Sequence, residues 1–165
     1  MNTPNRTISL AIRMSCLLTV LLSGCATNGP RPSWLGPTSG DRGNKILAKG
    51  REMVNKGVIL PGSCWDYIDT VYTRAGYPES KRQRVYKTAK KGPYASVSLI
   101  QPGDWIYFVN HSYGNIEHSS IFVEWTDKGG KQARMLSYAG QQRREPGRYL
   151  QYDLSSVYGI IRPKP

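Results

Sequence analysis

The apolar residues of this chain change their period at Pro102-Gly103-Asp104, and that change limits the class of fold open to it. Upstream they recur every three or four residues. Ile46, Leu47, Gly50, Met53 and Val54 share one helical face between Asn44 and Asn55, and Gly57 supplies a stop. A second helix is expected after Pro61-Gly62, with Ser63 as N-cap, Asp66 as its capping-box partner and Gly76 at its end. Its stripe of Cys64, Ile68, Val71, Tyr72 and Ala75 is the face expected to be buried. Downstream of the break the alternation has period two. Trp105 to Val109, Glu117 to Trp125, Gln132 to Tyr138 and Val157 to Ile161 read as strands, with turn signals at 110–115 and 127–130. Helices first and strands second predict an α+β domain, its helices packed on one face of an antiparallel meander. Between the two textures, Pro78 to Pro93 carries Lys81, Arg82, Arg84, Lys87, Lys90 and Lys91 against Glu79. It reads as a helix or an ordered loop whose charges form a solvated face.

The first 24 residues have a different character. Arg6 and Arg13 precede an apolar run from Met14 to Leu22, too short to span a bilayer, and Leu22-Ser23-Gly24-Cys25 follows. Leu-Ser-Gly-Cys resembles the lipobox of bacterial lipoproteins. That resemblance implies a signal peptide over 1–24, lipid on the Cys25 thiol, and cleavage before it. Residues 25–43, rich in Gly, Pro, Ser and Thr, read as a lipidated tether, and 44–165 as one domain. Such a tether spans on the order of 25 Å as a coil and roughly 60 Å when drawn out. Export places the domain in the cell envelope on the periplasmic side of a membrane. Ala26, rather than Asp, after the lipidated cysteine points to the outer membrane in an organism that has one.

Maturation also simplifies the cysteines. Cys16 leaves with the signal peptide and Cys25 carries lipid, so Cys64 is the remaining free thiol, either a small buried hydrophobe or a reactive group. The formal charge of +12 falls by two, to +10, when Arg6 and Arg13 are removed. A polyanionic partner follows from such a balance. Export favours peptidoglycan or another anionic envelope polymer over nucleic acid.

A thiol in the first turn of a helix meets the positive end of the helix dipole and free backbone N–H groups, which favour a thiolate and a developing oxyanion. Cys64 is therefore a candidate nucleophile, and it needs a base. His111 lies in a polar turn and reads as a surface residue. His118 begins a strand in phase with Ser120, Phe122 and Glu124, either as that base or as a structural histidine at a strand end. No Cys-x-x-Cys or His-Glu-x-x-His spacing and no glycine-rich phosphate loop is present, so neither metal nor cofactor is expected.

Five segments then form an ordered series: residues 61–77 around Cys64, Gln101-Pro102-Gly103-Asp104-Trp105, Glu117-His118-Ser119-Ser120, Leu136-Ser137-Tyr138-Ala139-Gly140, and Tyr158-Gly159-Ile160-Ile161-Arg162-Pro163. In this order they resemble the landmarks of the NlpC and CHAP cysteine hydrolases, over about residues 44–163. The resemblance implies a papain-like fold in which Cys64 is the nucleophile and His118 the general base. Asp104 matches the turn aspartate, a structural role. Ser137 aligns with the residue that orients the base, commonly a histidine in NlpC enzymes. Gln141 or a backbone carbonyl could serve instead, or the site could be a dyad. Ser63-Cys64-Trp65-Asp66 departs from the Asp-Cys-Ser-Gly of NlpC enzymes and is nearer the Cys-x-Trp-Tyr texture of CHAP domains. The implied activity is hydrolysis of peptidoglycan amide bonds through a thioester. Two alternatives are a non-catalytic lipoprotein that binds wall or anionic lipid through its basic face, and a lipid-directed thioesterase or acyltransferase.

Overall fold

Ser63 and Asp66 set the start of the helix that carries the free thiol. In the computed structural model, which describes residues 39–165, α2 (Cys64–Arg74) is preceded by Ser63 in extended backbone. The Asp66 carboxylate accepts from the Ser63 N–H at 2.7 Å, and the Trp65 N–H donates to Ser63 Oγ at 3.2 Å. The helix ends at Ala75 and Gly76, the latter at φ +91°. The preceding helix, α1 (Ser39–Asn55), starts five residues earlier than its apolar face predicts. Residues 39–43, read above as part of the tether, are its first turn. The lipobox, Cys25 and residues 26–38 lie outside the described residues.

The early start of α1 has a packing reason. A Cβ on Gly43 would lie 2.1 Å from the Pro102 carbonyl oxygen, and one on Gly103 would lie 2.4 Å from the Gly43 Cα. Backbone rests on backbone there, so α1 is docked against the turn that opens the sheet. Gly50, one face further along, leaves room for the Leu136 side chain.

Six strands follow: β1 (Arg82–Lys87), β2 (Trp105–Asn110), β3 (Ile116–Asp127), β4 (Gln132–Ser137), β5 (Arg148–Asp153) and β6 (Val157–Pro163). They form one sheet in the order β1-β6-β2-β3-β4-β5, and every pairing is antiparallel. From β2 to β4 this is the expected meander, and β5, which the sequence does not announce, continues it. The last strand departs from it by crossing back to lie between β1 and β2. One face buries Trp105, Ile121, Leu136 and Tyr138 against Ile46, Met53, Ile68, Val71 and Tyr72 of the helices. The other is also apolar, burying Ile106, Phe108, Phe122, Met135 and Ile160 with Ile100 and Ala95 of the loop before β2. The fold class is α+β, two helices on a six-stranded antiparallel sheet.

The basic stretch is neither helix nor loop throughout. It makes a short 3₁₀ turn at Glu79–Lys81 and then the edge strand β1. Its charges are not all solvated either. The Arg82 side chain is 7% exposed, pairs with Asp69 at 2.5 Å, donates to the Tyr77 carbonyl at 2.7 Å and lies over the rings of Tyr72 and Trp105. A guanidinium can be buried this way because its donors find acceptors and its flat face finds rings.

Asp104 joins the turn to the last strand. Its carboxylate accepts from the Gln101 N–H at 2.8 Å and is held by two Arg162 nitrogens, each at 2.7 Å. The turn contact is the expected one; the fork from Arg162 is additional. Among the described residues no helix is long and apolar enough to cross a membrane.

Candidate active site

The thiol is positioned by the end of β4. Tyr138, just past that strand, donates to the Leu60 carbonyl at 2.6 Å and accepts from the Leu60 N–H at 3.2 Å. Gln141 holds the next residues of the same loop: its N–H donates to the Gly62 carbonyl at 2.9 Å and its side-chain oxygen accepts from the Gly62 N–H at 3.3 Å. Gly62 itself sits at φ +98°, and a Cβ there would meet the Asp66 carboxylate at 2.3 Å. The loop thus delivers Cys64 as the first residue of α2, half-buried. The Cys64 N–H has no acceptor among the described residues, as expected for the first residue of a helix.

The imidazole is held from the neighbouring strands. His118 Nε2 lies 2.8 Å from Ser137 Oγ on β4 and 3.5 Å from the Tyr152 hydroxyl on β5. Those two hydroxyls are 2.9 Å apart, so the three groups close a triangle. Phe108 packs edge-on against the ring, with centroids 5.6 Å apart. Nδ1 has no hydrogen-bond partner among the described residues. Burial drives the imidazole down from its ordinary 6.5 to about 4, because the charged form loses water and gains no anion. Two hydroxyls orient the ring without stabilising its cation as a carboxylate would. At neutral pH His118 is therefore uncharged, with Nε2 turned to Ser137 and Nδ1 left without a partner among the described residues.

Cys64 and His118 line one cavity of about 390 Å³ together with Trp65, Tyr107 and residues of β1 and β6. The group on the sulfur is Ser119, whose hydroxyl donates to Cys64 Sγ at 3.6 Å. No hydrogen bond joins Cys64 to His118 among the described residues. His118 also borders a second cavity of about 270 Å³, shared with Ser137, Tyr152, Arg143 and Arg148. It stands as the partition between the two.

Of the residues singled out in the sequence, His118 and Ser137 meet directly, whereas Cys64 shares a cavity wall with His118 and has Ser119, on the opposite face of β3, as its partner. Gln141 faces the loop before Cys64, not the imidazole. His111 lies elsewhere, exposed. Its nitrogens are 2.7 Å from Asn115 Oδ1 and 2.7 Å from Ser156 Oγ, tying the β2–β3 turn to the turn before β6. Two site residues escaped the sequence reading. Ser119 was passed over as the neighbour of His118, although alternation sends successive side chains to opposite faces and so toward the helix. Tyr152 belongs to β5, a strand that the reading did not foresee; the alternation of Tyr149 and Gln151 with Leu150 and Tyr152 was its faint signal.

No family model matches the chain, and no curated protein matches it. Among solved structures, its fold is similar to that in the crystal structure of a wild-type endolysin, LysIME-EF1, with a TM-score of 0.50 and 20% sequence identity. The match covers 73% of this chain and 63% of the endolysin chain, so it spans less than two thirds of that protein. What the chain and the endolysin share is a fold.

Proposed function

We propose that this protein is an envelope lipoprotein that hydrolyses peptidoglycan amide bonds through Cys64. The observation that carries the reading is the pairing, in one cavity, of a thiol at a helix N-terminus with a neutral imidazole locked by two hydroxyls. A structural likeness to an endolysin, a cell-wall hydrolase, supports the substrate.

In this reading His118 Nδ1 takes the thiol proton as the sulfur attacks the amide carbon. The oxyanion forms at the N-terminus of α2, where the Cys64 N–H is unengaged. When the tetrahedral intermediate collapses, His118 returns the proton to the leaving amine and a thioester remains on Cys64. Water, deprotonated by the same nitrogen, then attacks the thioester and releases the acid and the thiol. Ser137 and Tyr152 engage Nε2, and so leave Nδ1 as the nitrogen that carries the proton.

The test is release of soluble fragments from purified peptidoglycan. Cys64→Ala is expected to abolish it while the circular dichroism spectrum stays unchanged; release at the original rate would remove the enzyme reading. Iodoacetamide should also alkylate Cys64 at neutral pH faster than a model thiol.

The non-catalytic reading draws on Ser119, since the hydroxyl of a strand residue, not the imidazole, is the sulfur's partner. It expects sluggish alkylation and wall binding indifferent to Cys64→Ala.

A further inference from the structure

We propose that Arg84 and Lys87 form an anion-recognition site beside Cys64, which selects amide substrates bearing a free carboxylate close to the bond cleaved. The substrate part of this inference rests on the hydrolase reading; the anion site itself does not.

The site is made by an irregularity in β1. Residues 84 and 87 are an odd number apart, so in a regular strand their side chains face opposite ways. Here the pairing with β6 slips: Arg84 lies opposite Ile161, Tyr86 opposite Ile160 and Lys87 opposite Gly159. Val85 is the extra residue of a bulge. Because Ile161 and Gly159 are two apart on β6, the residues facing them, Arg84 and Lys87, come to the same face. That face borders the cavity containing Cys64, and Arg84, Lys87, Gly159 and Ile161 all line it. Bulges re-aim side chains in this way.

The two cations also face solvent, Arg84 at the rim of a neighbouring pocket that holds Asp69 and Glu79. Both are exposed, and neither makes an ion pair among the described residues. The cavity does hold a carboxylate, Glu117, but Lys90 pairs with it at 2.6 Å and the Tyr158 hydroxyl donates to it at 3.0 Å. What remains is a guanidinium fork, which fits a carboxylate with two parallel bonds, and an ammonium that adds a mobile charge. The cavity volume suits one or two residues of a peptide, not an extended polymer.

Two alkylating agents of nearly equal shape test the site without any need for turnover. In each the sulfur attacks the methylene carbon, iodide leaves, and the thiol proton passes to His118 or solvent. Iodoacetate carries a carboxylate and iodoacetamide does not. At Cys64 the rate ratio of iodoacetate to iodoacetamide should exceed the ratio measured for 2-mercaptoethanol by on the order of tenfold, the gain expected of a charged cleft. In Arg84→Gln/Lys87→Gln that excess should vanish. It should persist in Arg51→Gln/Lys128→Gln, which removes the same charge from α1 and the β3–β4 turn. A wild-type ratio no greater than that of the free thiol, or an equal loss in both double variants, would overturn the proposal. Fragment release from peptidoglycan, followed beside the labelling, separates the two readings. A labelling preference without hydrolysis leaves the anion site standing without the enzyme; hydrolysis without a preference removes the anion site alone.

Discussion

The imidazole of His118 has an unusual set of neighbours for a base: two hydroxyls and the edge of a phenyl ring, with no carboxylate bonded to it among the described residues. Its depressed proton affinity follows, since every neighbour either excludes water or is neutral. The sign of the pH dependence is fixed by this. The base form is populated above about pH 4 and lost below it, so kcat/KM should rise as pH rises through about 4 and show no acid limb near the ordinary 6.5. A limb at 6 to 7 in the pH profile would mean that the ring titrates as a solvated histidine, and the triangle would lose its meaning. Ser137→Ala removes the 2.8 Å partner and should lower kcat by about tenfold to a hundredfold with KM little changed. Tyr152→Phe, which keeps the Ser137 bond, should cost less. Steady-state kinetics on a soluble wall fragment would rank the two.

At the scale of elements, the docking of α1 on the Pro102-Gly103 turn makes a prediction opposite in sign to helix propensity. Replacing a helical glycine with alanine normally gains about 1 kcal/mol. Gly43→Ala should instead lose about 3 kcal/mol, because the new Cβ would meet a backbone carbonyl that cannot yield. Gly50→Ala should lose less, since the obstacle there is the movable end of the Leu136 side chain. Denaturation midpoints that fall equally in the two variants would count against the backbone contact. The helices were legible in the sequence because their signals are local: Ser63 and Asp66 are three residues apart, and the apolar stripe of α1 repeats within its own length. The edge strands were not. The interior residues of β1 include Arg82, whose burial depends on Asp69, Tyr72 and Trp105 in other elements, and no alternation of apolar residues betrays that. Tyr152 was hidden for the same reason, since it meets His118 only once β5 has paired with β4 and β4 with β3.

For the molecule as a whole, the excess of positive charge bears on how it meets its partner. Lys and Arg outnumber Asp and Glu by 23 to 11, and surface attraction to a carboxylate-bearing polymer is screened by salt. Pelleting with purified peptidoglycan should therefore weaken steeply as salt rises from about 50 to 500 mM, and equally in Cys64→Ala. Retention that ignores salt would point to recognition by shape or by neutral hydrogen bonds. The same charge bears on self-association. Since β1 is an outer strand, interrupted at Val85 and studded with Arg84 and Lys87, it offers a neighbouring copy neither a straight ladder of amides nor a neutral approach. Crowding many copies together would thus set like charges against one another at one of the two margins where a sheet might otherwise extend into a fibre.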